Sequence, residues 1–202
     1  MNARLMDDPV ARELRRSELA RRLMSHQVRT RTITHLTGIS RDRLETFRQR
    51  LQVPADARRR GPPPSSLNVF LRTPLARTEG AALAALCAVF DAHIADRPAT
   101  VPEQLTCLDR GEQLCEIYEA FRACYPHSDV QLEELILLRK SLAKGDVIEI
   151  GKCRRCRCLI VINRFDGGQR TCWHCALLTE RDGAENNHAA GGTNGESSTM
   201  HG

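Results

Sequence analysis

The chain has 202 residues, with 30 Lys/Arg against 25 Asp/Glu and a formal net charge of +5. That length allows one substantial core or two small ones, and no apolar run reaches the roughly 18 residues that would span a membrane. Charge is unevenly spread: residues 1–61 carry a net of +8, residues 62–151 a net of −5 and residues 152–202 a net of +2.

A basic segment points to a polyanionic partner, nucleic acid above all. Almost all of its cations are Arg, whose planar fork suits phosphate and guanine; a coding bias towards Arg is the other source of such a composition. The start, Met1-Asn2-Ala3-Arg4, leads into no apolar run, which reads as the absence of a secretory signal. Nine cysteines, an odd number, then fit a reducing cytoplasm. Cys87, Cys115 and Cys124 fall among apolar helical residues and read as buried free thiols.

In chain order, residues 8–30 predict an amphipathic helix, with Val10, Leu14, Leu19, Leu23 and Met24 near helical spacing. Residues 31–51 hold two shorter helices around Gly38. Residues 52–66 break the pattern. Arg58-Arg59-Arg60-Gly61-Pro62-Pro63-Pro64-Ser65-Ser66 cannot continue a helix and reads as an exposed, partly polyproline linker. Three further helices are predicted at Gly80–Asp96, Pro102–Tyr125 (interrupted by Gly111) and Val130–Ala143, the last capped at Lys144-Gly145. Val147–Ile150 and Leu159–Ile162 read as strands, with Asp166-Gly167-Gly168 as a turn. Residues 182–202 are polar and Gly/Asn/Ser-rich and read as disordered. The expected class is mainly α, in four parts: a helical DNA-binding region at 1–66, a helical partner-binding block at 67–146, a zinc-ribbon-like module at 147–181 and a tail at 182–202.

Two motifs carry chemistry. Cys153-Arg-Arg-Cys156 and Cys172-Trp-His-Cys175 are separated by fifteen residues, the spacing of a four-thiolate zinc site. A two-residue gap lets one tight turn aim two sulfurs at a point, and a returning hairpin brings the second pair to close a tetrahedron. Four thiolates leave no open position for water, so one structural Zn²⁺ is expected and catalysis is not. Disulfides would need an oxidising compartment, and a redox pair would need one Cys-x-x-Cys near a βαβ pattern. Cys158 and His174 are possible substitute ligands; the plainer expectation is that Cys158 faces away and His174 is solvated.

The second motif is Thr-Arg-Thr-Ile-Thr-His-Leu-Thr-Gly-Ile-Ser-Arg-Asp-Arg-Leu-Glu-Thr-Phe-Arg-Gln at 30–49, which has the layout of a helix-turn-helix. Gly38 stands where the turn needs a left-handed backbone. Ile39 would plug the angle between helices, Ser40 would cap the second, and Ile33, Leu36, Leu44 and Phe47 would face a common core. Ser40, Arg41, Arg43, Thr46 and Gln49 would then point outward towards the major groove, with Arg48 and Arg50 on phosphates. Asp42 and Glu45 are awkward beside phosphates. The alternative is a helical hairpin whose mixed-charge face touches a partner protein.

In this order, the Thr-Gly-Ile-Ser-Arg-Asp-Arg-Leu turn and helix, the Arg60-Gly61-Pro62-Pro63-Pro64-Ser65 segment and the paired Cys-x-x-Cys resemble the FlhC family of bacterial flagellar transcriptional activator subunits, over roughly residues 8–180. The resemblance implies a mostly helical fold with four cysteines on one zinc. It also implies a heteromeric complex with an FlhD-like subunit, which binds promoters of flagellar operons and recruits RNA polymerase without catalysis. The acidic middle would be the partner-binding face. The alternative function is a zinc-containing interaction module that organises a transcription complex without reading DNA. An enzyme is not expected: there is no His-Glu-x-x-His, no phosphate-binding glycine loop and no His-x-Glu deaminase signature.

Overall fold

Asp8 opens the first helix, α1 (Pro9–Ser25), by accepting from the backbone N–H groups of Val10 and Ala11, and Pro9 needs no donor there. The computed structural model describes residues 8–54, 58–95, 106–145, 147–165 and 170–179, with backbone alone at 92–95. The expected turn at 166–168, the Pro102 helix start and the tail at 182–202 lie outside the described residues.

α1 stops short of residue 30. Gln27 takes a left-handed φ of 56°, and the N–H groups of Gln27 and Val28 close back on the carbonyls of Met24 and Leu23 at 2.9 and 3.0 Å. This is a Schellman ending with glutamine in the position usually held by glycine. α2 (Thr30–Thr37) follows, then α3 (Arg41–Arg50). α3 ends as α1 does: Gln52 has φ 52°, and Gln52 and Val53 donate to Gln49 and Arg48.

After the segment at 58–66, a 3₁₀ turn (Leu67–Phe70) buries Phe70 completely. α4 (Pro74–Ala95) starts before the expected Gly80, because the Thr73 hydroxyl accepts from the N–H of Ala76 and Pro74 suits a first turn. α5 (Cys107–Cys124) begins with a reciprocal capping box between Thr106 and Asp109. α6 (Leu132–Lys144) ends on Gly145 in the left-handed region, as expected. β1 (Ile148–Lys152) and β2 (Leu159–Asn163) pair antiparallel, with Ile150 opposite Val161. Residues 173–179 are again helical. The fold is mainly helical, with a small cysteine-bearing hairpin near its C-terminal end.

The first hydrophobic core joins residues from both sides of the 66/67 boundary: Leu19, Leu23, Ile33 and Leu44 pack in one cluster with Phe70, Leu83, Ile117, Phe121, Leu135 and Leu138. The N-terminal helices and the middle block therefore share one interior. α5 is the keystone. Gly111 does not interrupt it; a Cβ there would lie 2.6 Å from Leu19 Cδ2 and 3.3 Å from Leu36 Cβ, so glycine permits the close crossing with α1 and α2. The apolar stripe of α1 covers only its second half. Leu19, Leu23 and Met24 are buried, whereas Val10 and Leu14 are 74% and 71% exposed.

Charge follows the same seam. Arg15 of α1 is held by Asp109 and Glu112 of α5, Arg22 by Glu119, and Arg29 by Glu133 of α6. Four carboxylates of the acidic middle, Asp109, Glu112, Glu119 and Glu133, thus neutralise cations of the basic N-terminal block within the chain. No described helix is long and apolar enough to cross a membrane.

Candidate metal centre and nucleic-acid interface

The period-2 alternation of β2 builds the candidate metal centre. Val161 points into the main core beside α4. Its neighbours Ile160 and Ile162 point the other way, into a second small core with Cys153, Cys172 and Cys175. One strand therefore separates two interiors and fixes the hairpin to the helical body. A hydrogen bond from Trp173 N–H to Thr78 Oγ1 of α4, at 3.3 Å, ties the second cysteine pair to the same helix.

The thiols of Cys153, Cys156, Cys172 and Cys175 all lie within 4.8 Å of one another. Those of Cys156 and Cys172 are 3.4 Å apart. Their turns are fixed by backbone bonds: Cys153 N–H to Cys158 O at 2.8 Å, Arg157 N–H to Cys153 O at 3.0 Å and Arg154 N–H to Arg170 O at 2.9 Å. Arg157 holds a left-handed φ of 66° just after the first pair, a conformation glycine would adopt without strain. The donor set, four clustered sulfurs with three buried, fits a metal ion that takes tetrahedral thiolate coordination.

The cluster's electrostatics support this chemistry. Burial opposes ionisation of Cys153, but N–H groups of Cys156, Cys172 and Arg155 outweigh it and bring the thiol down to about 6. Cys156 is lowered too, chiefly by the N–H of Cys158 and then by the Cys172 thiol. Cys175 is pushed up to about 12 by burial and by the thiols of Cys156, Cys172 and Cys153. Negative charge gathers on one part of the cluster and is resisted on another, the condition a cation relieves.

Cys158 is solvent-exposed and is not one of the four clustered sulfurs, although burial of its thiol and then the nearby thiols of Cys156 and Cys172 oppose its ionisation. His174 is exposed and outside the sulfur cluster, as expected. Cys87 and Cys115 are buried free thiols, raised by burial to about 11 and about 12. Cys124 is exposed, on the outer side of the last turn of α5, contrary to the expectation of burial.

The α2–α3 pair has the geometry its sequence suggested. Gly38 has φ 71° and donates to Thr34 O at 2.8 Å. Ser40 caps α3 by accepting from Arg43 N–H. Ile33, Leu36, Ile39 and Leu44 are buried, and Phe47 packs partly against them. Thr37 adds a brace that pattern reading missed: its hydroxyl donates to Ile33 O at 2.8 Å and accepts from Ile39 N–H at 3.1 Å.

The outward residues divide into three groups. Ser40, Arg41, Gln49 and Arg50 are exposed on or beside α3. Arg43 and Thr46 are exposed but engaged: Arg43 pairs with Glu13 of α1 and lies over the Phe47 ring, and the Thr46 hydroxyl donates to Asp42 O. Arg48 is not a phosphate contact in this fold. Its side chain is buried, with Nη2 donating to Thr30 Oγ1 at 2.8 Å and Nη1 near Glu45, because α3 leans back on the start of α2 at that turn. On the metal hairpin, Arg154, Arg155, Arg157, Arg164 and Arg170 are exposed. Compared with known proteins, the chain matches no protein-family model and no curated relative.

Proposed function

We propose that the chain is the DNA-binding subunit of a transcriptional activator of the FlhC kind, acting with an FlhD-like partner at promoters of flagellar operons and recruiting RNA polymerase. The observation that supports this most is the α2–Gly38–α3 unit, with Ser40, Arg41, Gln49 and Arg50 exposed at and along its second helix. In a helix-turn-helix the head of the second helix meets base edges while the first crosses the backbone. Arg41 takes the base-reading position and Gln49 and Arg50 lie further along. The metal is one structural Zn²⁺ on Cys153, Cys156, Cys172 and Cys175. When bound, it holds the hairpin closed and presents Arg154, Arg155 and Arg157 as a second basic surface.

The test is promoter binding by the metal-loaded chain with its candidate partner. Loss of sequence preference in an Arg41→Ala/Gln49→Ala variant that keeps its helix content supports the reading; intact preference rejects it.

A second reading, a zinc-containing module that organises a transcription complex without reading DNA, is favoured by one observation: the Arg43–Glu13 pair removes a cation from the α3 face. Partner capture that survives while every DNA sequence is bound equally supports that reading.

A further inference from the structure

Arg58 pins a further basic surface beside the α2–α3 unit. Its Nη1 donates to Glu45 of α3 at 2.7 Å, and this fixes the start of the following Arg59-Arg60-Gly61-Pro62-Pro63 segment against the helix-turn-helix. Gly61 turns the chain with a φ of 86°, and the prolines then stiffen it. Between this segment, α2 and the head of α3 lies a cleft of about 500 Å³, with Arg29, Arg31, Arg41, Arg59 and Arg60 in its walls and no acidic side chain among its described lining residues.

The arginines of this cleft differ from those of the α1–α5 seam. There, Arg15 and Arg22 are matched by carboxylates. Here Arg31, Arg41, Arg59 and Arg60 are exposed, and none forms an ion pair with a carboxylate among the described residues. Glu134 feels the charge of Arg59, but its carboxylate already accepts the N–H of Gln131 at 2.8 Å. Arg29 is paired with Glu133, and its Nε remains buried without a hydrogen-bond partner. Several guanidinium groups converging on one concavity repel one another unless an anion sits between them. Their planar forks fit phosphate oxygens in pairs.

We propose that this cleft is a phosphate clamp, in which the 59–63 segment and α2 grip consecutive phosphates of a nucleic-acid backbone beside the groove that α3 enters. The clamp rests on the DNA-binding reading for its occupant, whereas its chemistry, recognition of linked phosphates, is a property of the cleft. The segment is then not a spacer but half of the binding surface.

The experiment compares the metal-loaded wild-type chain with an Arg59→Gln/Arg60→Gln variant and an Arg31→Gln variant, each checked for unchanged helix content. Affinity for a short random-sequence duplex is measured over a salt series, and binding of inorganic tripolyphosphate is measured by calorimetry. The clamp predicts that the log–log salt slope shrinks by about two in the double variant and by about one in Arg31→Gln, near 0.9 per phosphate contact. Tripolyphosphate binding should fall at least tenfold in both. If the wild type binds no DNA but holds tripolyphosphate through these arginines, the DNA reading fails while the phosphate site stands, its ligand a free phosphoryl compound. An unchanged salt slope together with unchanged or absent tripolyphosphate binding overturns the clamp.

Discussion

Arg48 Nη2 donates to Thr30 Oγ1 at 2.8 Å, so the last turn of α3 is fastened to the first residue of α2 by a buried guanidinium. The two helices of the proposed DNA-binding unit are therefore tied together at the ends remote from the Gly38 turn. Arg48→Ala should destabilise the chain by about 1–3 kcal/mol, since it removes the packing of a buried side chain and its hydrogen bond to the half-buried Thr30 hydroxyl. Arg41→Ala, on the open surface, should stay within about 0.5 kcal/mol. Urea denaturation of the two variants measures the difference, and equal midpoints would show that Arg48 is not structural.

The crossing at Gly111 gives a prediction that runs against helix propensity. Alanine favours a helix by about 1 kcal/mol over glycine. Gly111→Ala should nonetheless destabilise by about 1–3 kcal/mol, because its methyl would meet Leu19 at 2.6 Å. Thermal unfolding decides the sign; a raised Tm would mean that α1 and α5 have room to separate.

How much of this was legible beforehand depends on whether the cause was local. The α2–α3 turn was readable because Gly38, Ile39 and Ser40 act on their own neighbours. The four sulfurs were readable because each knuckle is four residues long. Helix ends at Gln27 and Gln52 were not, since glutamine carries no turn signal and its left-handed backbone goes with the hydrogen bonds that Val28 and Val53 close back onto Leu23 and Arg48. Nor could spacing reveal that Arg48 turns inward or that Val10 and Leu14 overhang the core. Those outcomes depend on where α2 and α5 come to lie. The use of Glu119 and Glu133 to neutralise Arg22 and Arg29, some hundred residues away, is likewise a tertiary fact.

That neutralisation gives a pH dependence. Glu119 is held below its ordinary 4.5, first by hydrogen bonds from Arg22, against burial, and then by His26. A carboxylate with a lowered folded-state pKa contributes stability that is complete above about 4.5 and is lost as pH falls through the lower folded value. Denaturation midpoints should therefore decline as pH is taken down through this window. Glu119→Gln should flatten part of the decline; an identical pH profile would exclude the seam as its source.

The sulfur cluster should bind one metal ion per chain. Cys153→Ser should reduce bound zinc below stoichiometry and loosen the hairpin, while most of the helical signal persists because α1–α6 keep their own core. Because protons compete for the thiolates, metal should also be released as pH falls. Metal analysis with circular dichroism checks both, and full zinc content in the variant would contradict the ligand assignment.

The central claim, that the α2–α3 unit reads DNA, is tested most directly by selecting bound fragments from a random duplex library with the metal-loaded chain and its candidate partner. The account predicts one enriched sequence, protected in a footprint and bound far more tightly than random DNA at physiological salt, with the preference abolished in Arg41→Ala/Gln49→Ala. No enriched sequence, or an enriched sequence that the variant binds as well as the wild type, would contradict it.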